Sequence, residues 1–193
     1  MQYIKESLRR KILETALDEF DKHGFDGASM RAIADGSGTS LGNLYRYFKN
    51  KDDLYQHCLS PVLVKCVELT EGAFGVSEEA INFSAYHMAR YVVANAREFR
   101  IIVTGPAKHY NEFLNRFASC ISKRLEEHAR NTGMHSCVNA GFYDAVALAF
   151  ISSLRQIMEN GEGNPDTATS VQELMRFLFS DFDNRLKRLG GMA

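Results

Sequence analysis

A cluster of glycines near the N-terminus constrains the fold of this chain more than any other feature of its sequence. Residues 24–42 hold five of the fourteen glycines in nineteen positions. Helical apolar spacing precedes the cluster at residues 5–23, and two further short helical segments follow the N-cap residues Ser29 and Ser40. Because Gly38 separates these two segments, the pattern predicts two short helices joined by a tight turn.

The remainder of the chain shows the spacing of longer helices and no alternation typical of strands. The predicted helices cover residues 51–71, 77–95, 98–104, 108–131 and 141–160, and a last one runs from the N-cap Asn164 to Lys187. We therefore predict an all-α chain of about nine helices. Its first domain comprises residues 1–50 with three helices, and a second helical domain comprises residues 51–193.

The charge of the whole chain is uninformative, but its distribution is not. The formal net charge is −1, from 23 basic and 24 acidic residues. Residues 1–11 and residues 29–51 each carry a net charge of +3, whereas residues 12–28 carry −4. Two basic segments therefore flank the third predicted helix, as a phosphate-binding surface requires.

The third predicted helix has two chemically distinct faces. At about 100° per residue, Leu41, Leu44 and Phe48 share one face. The opposite face carries polar groups flanked by phenols: Thr39, Gly42, Asn43 and Arg46, with Tyr45 and Tyr47 at its edges. Amide, hydroxyl and guanidinium groups hydrogen-bond base edges in the major groove, and phenols reach phosphates. This surface on the second of two short helices is typical of a helix-turn-helix.

Residues 8–55 resemble the N-terminal domain of TetR/AcrR-family transcriptional regulators. The resemblance lies in Ile12-Leu13-Glu14-Thr15-Ala16, Phe20, Gly24-Phe25, Ser29-Met30-Arg31-Ala32-Ile33-Ala34, and the segment 40–54 with its Gly-x-Leu-Tyr-x-x-Phe-x-x-Lys core. Thr39 stands where an apolar residue is usual, and Tyr47 where histidine is frequent. The base preference is therefore open.

The resemblance implies roles for individual residues. Residues of the second helix would meet phosphates or groove edges, namely Ser29 and Arg31. Major-groove contacts would come from Thr39, Gly42, Asn43 and Arg46, and backbone contacts from Tyr45, Tyr47 and Lys51. The last two long helices would pair with those of a second copy through small and apolar residues: Ala145, Ala149, Ser153, Leu174, Phe177 and Leu178. The alternative, that these helices are only intrachain core, stays open.

The resemblance implies that residues 51–193 form a helical effector-binding and dimerisation domain. Its effector is of unknown identity, and a small, largely apolar molecule is expected. Candidate polar anchors are His87, Tyr91, Asn95, Tyr110 and Arg116, although aromatic residues at helical spacing are also typical of a core. Arg97 and Arg100 could pair an anionic ligand or form salt bridges.

Other classes of site find little support. The six histidines lack ligand spacing, so neither a metal site nor a cofactor is expected. Cys58 and Cys66 could face together as a redox pair or be small buried residues. The N-terminus lacks the apolar run of a signal peptide, and no segment is long enough to span a membrane, so a cytoplasmic protein is expected.

Taken together, the sequence predicts a homodimeric, ligand-responsive regulator, a repressor that a small molecule releases from a palindromic double-stranded operator. One alternative is a DNA-bound adaptor that acts through protein partners without a small-molecule ligand. A helical enzyme is the other, and no constellation of residues supports it.

Overall fold

A computed structural model describes residues 2–71, 78–160 and 166–191 of the chain. These residues form ten α-helices and no strand, so the predicted all-α class is confirmed. The helices are α1 (Gln2–Gly27, interrupted at Gly24, whose φ is 65°), α2 (Met30–Ser37), α3 (Leu41–Tyr47), α4 (Lys51–Glu71), α5 (Glu78–Ala94), α6 (Ala96–Thr104), α7 (Ala107–Asn131), α8 (Ala140–Asn160), α9 (Thr167–Phe179) and α10 (Phe182–Leu189). None of these described helices is long and apolar enough to cross a membrane.

The chain divides into two compact units. The first comprises residues 1–62 and 97–110, and the second comprises residues 63–96 and 111–193. The first unit thus contains α1, α2, α3 and the first half of α4. It also contains α6 except for its first residue, Ala96, and the first turn of α7. A domain boundary after residue 50 stays a prediction.

The core of the first unit is the apolar face that the spacing of α1 predicts. Ile12, Ala16 and Phe20 are buried, and α1 packs against α2, which packs against α3. The ring of Phe20 meets the ring of Tyr55 from α4 edge-on, with centroids 5.1 Å apart. Aromatic pairs in this geometry add about 0.5–1.5 kcal/mol to the burial of their area. Helices α1, α2 and α3 therefore share one aromatic and aliphatic core.

Ion pairs attach α6 to the acidic face of α1 within the same unit. The guanidinium of Arg97 lies 2.8 Å from a carboxylate oxygen of Glu14 and 2.8 Å from one of Asp18. Arg100 donates two hydrogen bonds to Asp21, at 2.8 Å and 3.0 Å. Bidentate pairs of this kind fix orientation as well as distance. Arg97 and Arg100 were expected either to pair an anionic ligand or to form salt bridges, and in the structure they form salt bridges.

The second unit is built around α9, which packs against α5 and α8. Its core contains aromatic rings in edge-to-face contact: the ring centroids of Phe117 and Phe150 are 6.2 Å apart, and those of Phe150 and Phe179 are 5.7 Å apart. All three rings are buried. Helices from three parts of the chain therefore share one core.

The prediction of a single last helix up to Lys187 was wrong. The helix ends at Phe179, and α10 begins at Phe182. Asp181 between them has a left-handed backbone, φ 56°, which an α-helix cannot contain. Arg185 donates to the carbonyls of Phe177 and Leu178 that the break leaves free, at 3.0 Å and 2.6 Å. The predicted N-cap Asn164 lies outside the described residues, and Asp166 occupies the N-cap position of α9.

Candidate nucleic-acid interface

The turn between α2 and α3 forms as its residue types dictate. The Ser29 Oγ atom caps α2 by accepting from the Ala32 N–H at 3.4 Å, and Ser40 caps α3 by accepting from the Asn43 N–H at 3.2 Å. Gly38 has φ 72°, in the left-handed region that favours glycine. Its N–H donates to the Asp35 carbonyl at 3.0 Å. Two capped helices therefore meet at a rigid turn.

The two predicted faces of α3 are present. Leu44 and Phe48 are almost wholly buried, which fixes the rotation of the helix about its axis. On the opposite side Gly42 and Arg46 are exposed, and Tyr45 keeps 48% of its surface exposed. A β-carbon placed on Gly42 would meet nothing within 4 Å, so the surface beside it is open. The exposed face can approach a base-pair edge or a phosphate closely.

One hydrogen bond joins two of the predicted groove-contacting residues. The carboxamide of Asn43 donates from Nδ2 to the Thr39 hydroxyl over 2.8 Å. Both side chains are half-buried. The sequence analysis placed these residues on one face but gave no sign of this bond.

The remaining residues of α2 and α3 differ in how firmly they are held. The Ser29 N–H donates to a carboxylate oxygen of Glu19 at 3.2 Å, which ties the start of α2 to α1. Arg31 is exposed. Tyr47 is half-buried, with its ring 6.4 Å from that of Phe48. Phosphate contacts by these groups stay predictions.

Lys51 has structural contacts that the sequence analysis missed. Its Nζ atom donates to the carbonyls of Asp26 and Ala28, at 3.2 Å and 3.1 Å, and lies 4.7 Å from the centre of the Phe25 ring. An ammonium group has three N–H donors, so one remains for a phosphate. Lys51 therefore ties the start of α4 to the α1–α2 connection, and its predicted DNA contact would use the third donor.

Basic side chains of α1 lie near the turn and α3, and three carboxylates of α1 are paired with α6. The Lys11 ammonium lies 3.4 Å from the point where a β-carbon on Gly38 would stand. The Arg9 guanidinium lies over the Phe48 ring at 5.6 Å. The carboxylates of residues 12–28 that face α6 are paired with arginines, as described above. The basic segments of the sequence thus meet at the helix-turn-helix.

The predicted effector anchors are distributed over both units. Tyr110 belongs to the first unit, whereas His87, Tyr91, Asn95 and Arg116 belong to the second. The ring of His87 lies 4.1 Å from that of Phe83, and the Asn95 side chain donates to the Tyr91 carbonyl at 2.8 Å. Arg116 is exposed. A ligand role for these five residues stays a prediction.

The predicted dimer-forming helices carry exposed apolar residues. Phe177 on α9 exposes 76% of its surface, and Leu148 on α8 exposes 47%. The small residues Ala145 and Ala149 are exposed beside Leu148 on α8. The other predicted interface residues, Ser153, Leu174 and Leu178, are half-buried. An apolar surface with small residues on one helix permits close packing of a further helix.

The cysteines of α4 are poorly suited to redox chemistry. Cys58 and Cys66 are both buried, and burial raises the pKa of each thiol to about 12. The thiolate is the reactive form, so these groups stay protonated and slow to oxidise near neutral pH. Cys58 donates weakly to the Leu13 carbonyl over 3.7 Å. The structure therefore favours the interpretation of Cys58 and Cys66 as small buried residues over that of a redox pair. Among the described residues, no group of three or more His, Cys, Asp or Glu side chains could hold a metal ion.

Comparison with known proteins agrees with this geometry. Residues 12–58 match the sequence model of the bacterial regulatory proteins of the tetR family. Over 57 residues the chain is 37% identical to the probable HTH-type transcriptional regulator YttP of Bacillus subtilis (strain 168). That match covers 30% of this chain and only 28% of the length of YttP.

Solved structures share the fold over nearly the whole chain. The transcriptional regulator FadR from Bacillus subtilis, in complex with stearoyl-CoA, has a TM-score of 0.70 at 14% identity, over 89% of this chain and 97% of that one. SmeT, the repressor of the Stenotrophomonas maltophilia multidrug efflux pump SmeDEF, has a TM-score of 0.69 at 15% identity. This match covers 90% of this chain and 89% of SmeT. At these identities the likeness establishes the fold.

Proposed function

We propose that the chain, whose residues 12–58 match the model of the tetR family of bacterial regulatory proteins, is a regulator of that family: a homodimeric repressor that binds a palindromic operator and that a small molecule releases. Its relatives are transcription factors and not enzymes. DNA-binding transcriptional regulation follows from the family. The dimer, the operator symmetry and the effector are our proposal.

The observation that carries the proposal is the exposed face of α3. Leu44 and Phe48 fix the rotation of this helix, and the groups directed away from the core are the ones that read base edges. A recognition helix in the major groove contacts bases with such side chains while neighbouring residues hold phosphates. We assign the base contacts to Thr39, Gly42, Asn43 and Arg46, and the phosphate contacts to Ser29, Arg31, Tyr45, Tyr47 and Lys51.

The proposed dimer rests on the exposed apolar surface of α8 and α9. Phe177 and Leu148 are large side chains, and a water-exposed Phe costs about 1.5–3 kcal/mol relative to a buried one. Burial against the same surface of a second copy would give a two-fold symmetric interface. Two recognition helices related by that symmetry match the symmetry of a palindrome.

The proposed response to ligand is a shift between two populations of the dimer. Helix α6 is fixed to α1 through Arg97 and Arg100, so a ligand that displaces α6 would also act on the DNA-binding helices. We assign the effector a largely apolar character. The stearoyl-CoA bound by FadR, which shares this fold, supports a ligand with a long apolar part.

Selection from a random duplex library tests the proposal. The purified full chain should enrich a sequence with two-fold symmetry, with half-sites about one helical turn (10–10.5 bp) apart or a multiple of it. Enrichment of a single unrepeated site would contradict the dimer, and enrichment of no sequence would contradict specific reading.

An adaptor without a small-molecule ligand is the second candidate, and one observation favours it. On α5, Phe83 exposes 65% of its surface, and Tyr86 and Val93 are exposed on the same side of the helix. Such a face can bind a protein partner. A thermal-shift screen of apolar small molecules separates the two candidates, because a ligand that binds the folded state raises its melting temperature.

A further inference from the structure

The hydrogen bond between Asn43 and Thr39 determines which edge the Asn43 carboxamide presents. Asn43 Nδ2 donates to Thr39 Oγ1 over 2.8 Å. Both residues are anchored through their backbones: the Thr39 N–H donates to the Ala34 carbonyl at 2.9 Å, and the Asn43 N–H donates to Ser40 Oγ at 3.2 Å. The donor and the acceptor are therefore held by the same turn.

The Asn43 carboxamide keeps hydrogen-bonding groups that Thr39 does not use and that a ligand can bind. A carboxamide has two N–H donors and one carbonyl oxygen. One N–H of Asn43 is used by Thr39, so one donor and the acceptor are left. In the major groove adenine offers an acceptor at N7 beside a donor at N6, whereas guanine offers two acceptors, N7 and O6. The free edge of Asn43 is complementary to adenine and not to guanine.

We propose that Asn43 reads an adenine in each half-site of the operator, and that Thr39, besides the groove contact assigned to it above, acts as a positioning residue that fixes the Asn43 carboxamide for this reading. The inference rests on the proposed function, since it requires α3 to lie in the major groove. The open surface at Gly42 supports it, because no atom lies within 4 Å of a β-carbon placed there and a base edge can come close.

Three variants test the role of Thr39 in a random-library selection. The wild-type chain should enrich an adenine at one position of each half-site. Thr39→Val keeps the shape of the side chain but removes the acceptor, so the preference for adenine at that position should fall on the order of tenfold, within the discrimination of a bidentate pair. Thr39→Ser keeps the hydroxyl and should retain the preference. Asn43→Ala should lose it.

A change in the DNA provides a test that needs no altered protein fold. Replacing the selected adenine by 7-deazaadenine removes the N7 acceptor and leaves N6 in place. The affinity of the wild-type chain should fall on the order of tenfold, because the Asn43 carboxamide loses its hydrogen bond to N7. The affinity of Asn43→Ala should not change, because this variant has no carboxamide and never made that bond.

The outcomes separate this inference from the proposed function. An enriched site with guanine facing Asn43, or an unchanged adenine preference in Thr39→Val, would overturn the inference and leave the regulator intact. Equal sensitivity of wild type and Asn43→Ala to 7-deazaadenine would overturn it as well. If the wild-type chain enriches no site at all, the proposed function fails first and this inference with it.

Discussion

The contacts of Lys51 lead to a quantitative prediction for stability. Its Nζ atom donates to two carbonyls, of Asp26 and Ala28, and lies over the ring of Phe25. Lys51→Met keeps most of the aliphatic stem and removes the ammonium. Each lost hydrogen bond is worth about 1 kcal/mol and the cation–π contact about 0.5–1 kcal/mol, so the free energy of unfolding should fall by about 2–3 kcal/mol. At about 2–4 °C for each kcal/mol in a chain of this size, the melting temperature should fall by about 4–12 °C.

Thermal unfolding followed by circular dichroism measures this change, and Lys49→Met is the matched control. Lys49 is exposed, and its substitution by methionine removes the same charge two residues away from Lys51. Its substitution should change the free energy of unfolding by no more than about 0.5 kcal/mol. Equal melting temperatures for the two variants would refute the reasoning, because the ammonium of Lys51 would then contribute no more to the fold than an exposed lysine.

Three further predictions concern base reading, assembly and thiol chemistry. Arg46→Ala should lose about 1–3 kcal/mol of discrimination at one operator position, whereas a uniform loss for all sequences would contradict its role in base reading. Phe177→Glu should convert the dimer to a monomer in sedimentation analysis at unchanged helix content, and a dimer that persists would contradict the proposed interface. Burial raises the pKa of Cys58 and Cys66 to about 12, so in the native chain at pH 8 iodoacetamide should modify exposed Cys120 much faster than either. These folded-state pKa values exceed the roughly 8.5 of an unfolded thiol. The contribution of the two buried thiols to the free energy of unfolding should therefore be complete below pH 8.5 and decline as pH rises toward 12. Denaturant titrations at several pH values measure this decline.

Local signals predicted the helix-turn-helix well. Ser29 and Ser40 act as N-caps, and Gly38 adopts the left-handed turn conformation, because each of these features depends on a few consecutive residues. Asn50 likewise caps α4, accepting from the Asp53 N–H at 2.8 Å. The rotation of α3 followed from its apolar spacing alone.

Contacts between distant parts of the chain could not be predicted in the same way. The acids of α1 were seen as a negative segment, but their partners on α6 lie about eighty residues along the chain, as the Asp18–Arg97 pair shows. The break at Asp181 is a different case: Arg185 bonds carbonyls only seven and eight residues before it, but no glycine or proline marks the break in the sequence. In the predicted interface, the spacing placed Thr39 and Asn43 on one face, but only coordinates reveal the bond between them.

Binding of one DNA sequence by a two-fold assembly can be measured with binding constants at a series of salt concentrations. Affinity for the selected palindrome and for a scrambled duplex of equal length would be measured from low to physiological salt. Both affinities should fall steeply with salt because of phosphate contacts, and the palindrome should stay bound on the order of a thousandfold more tightly at physiological salt. Equal affinity for the two duplexes would contradict specific binding.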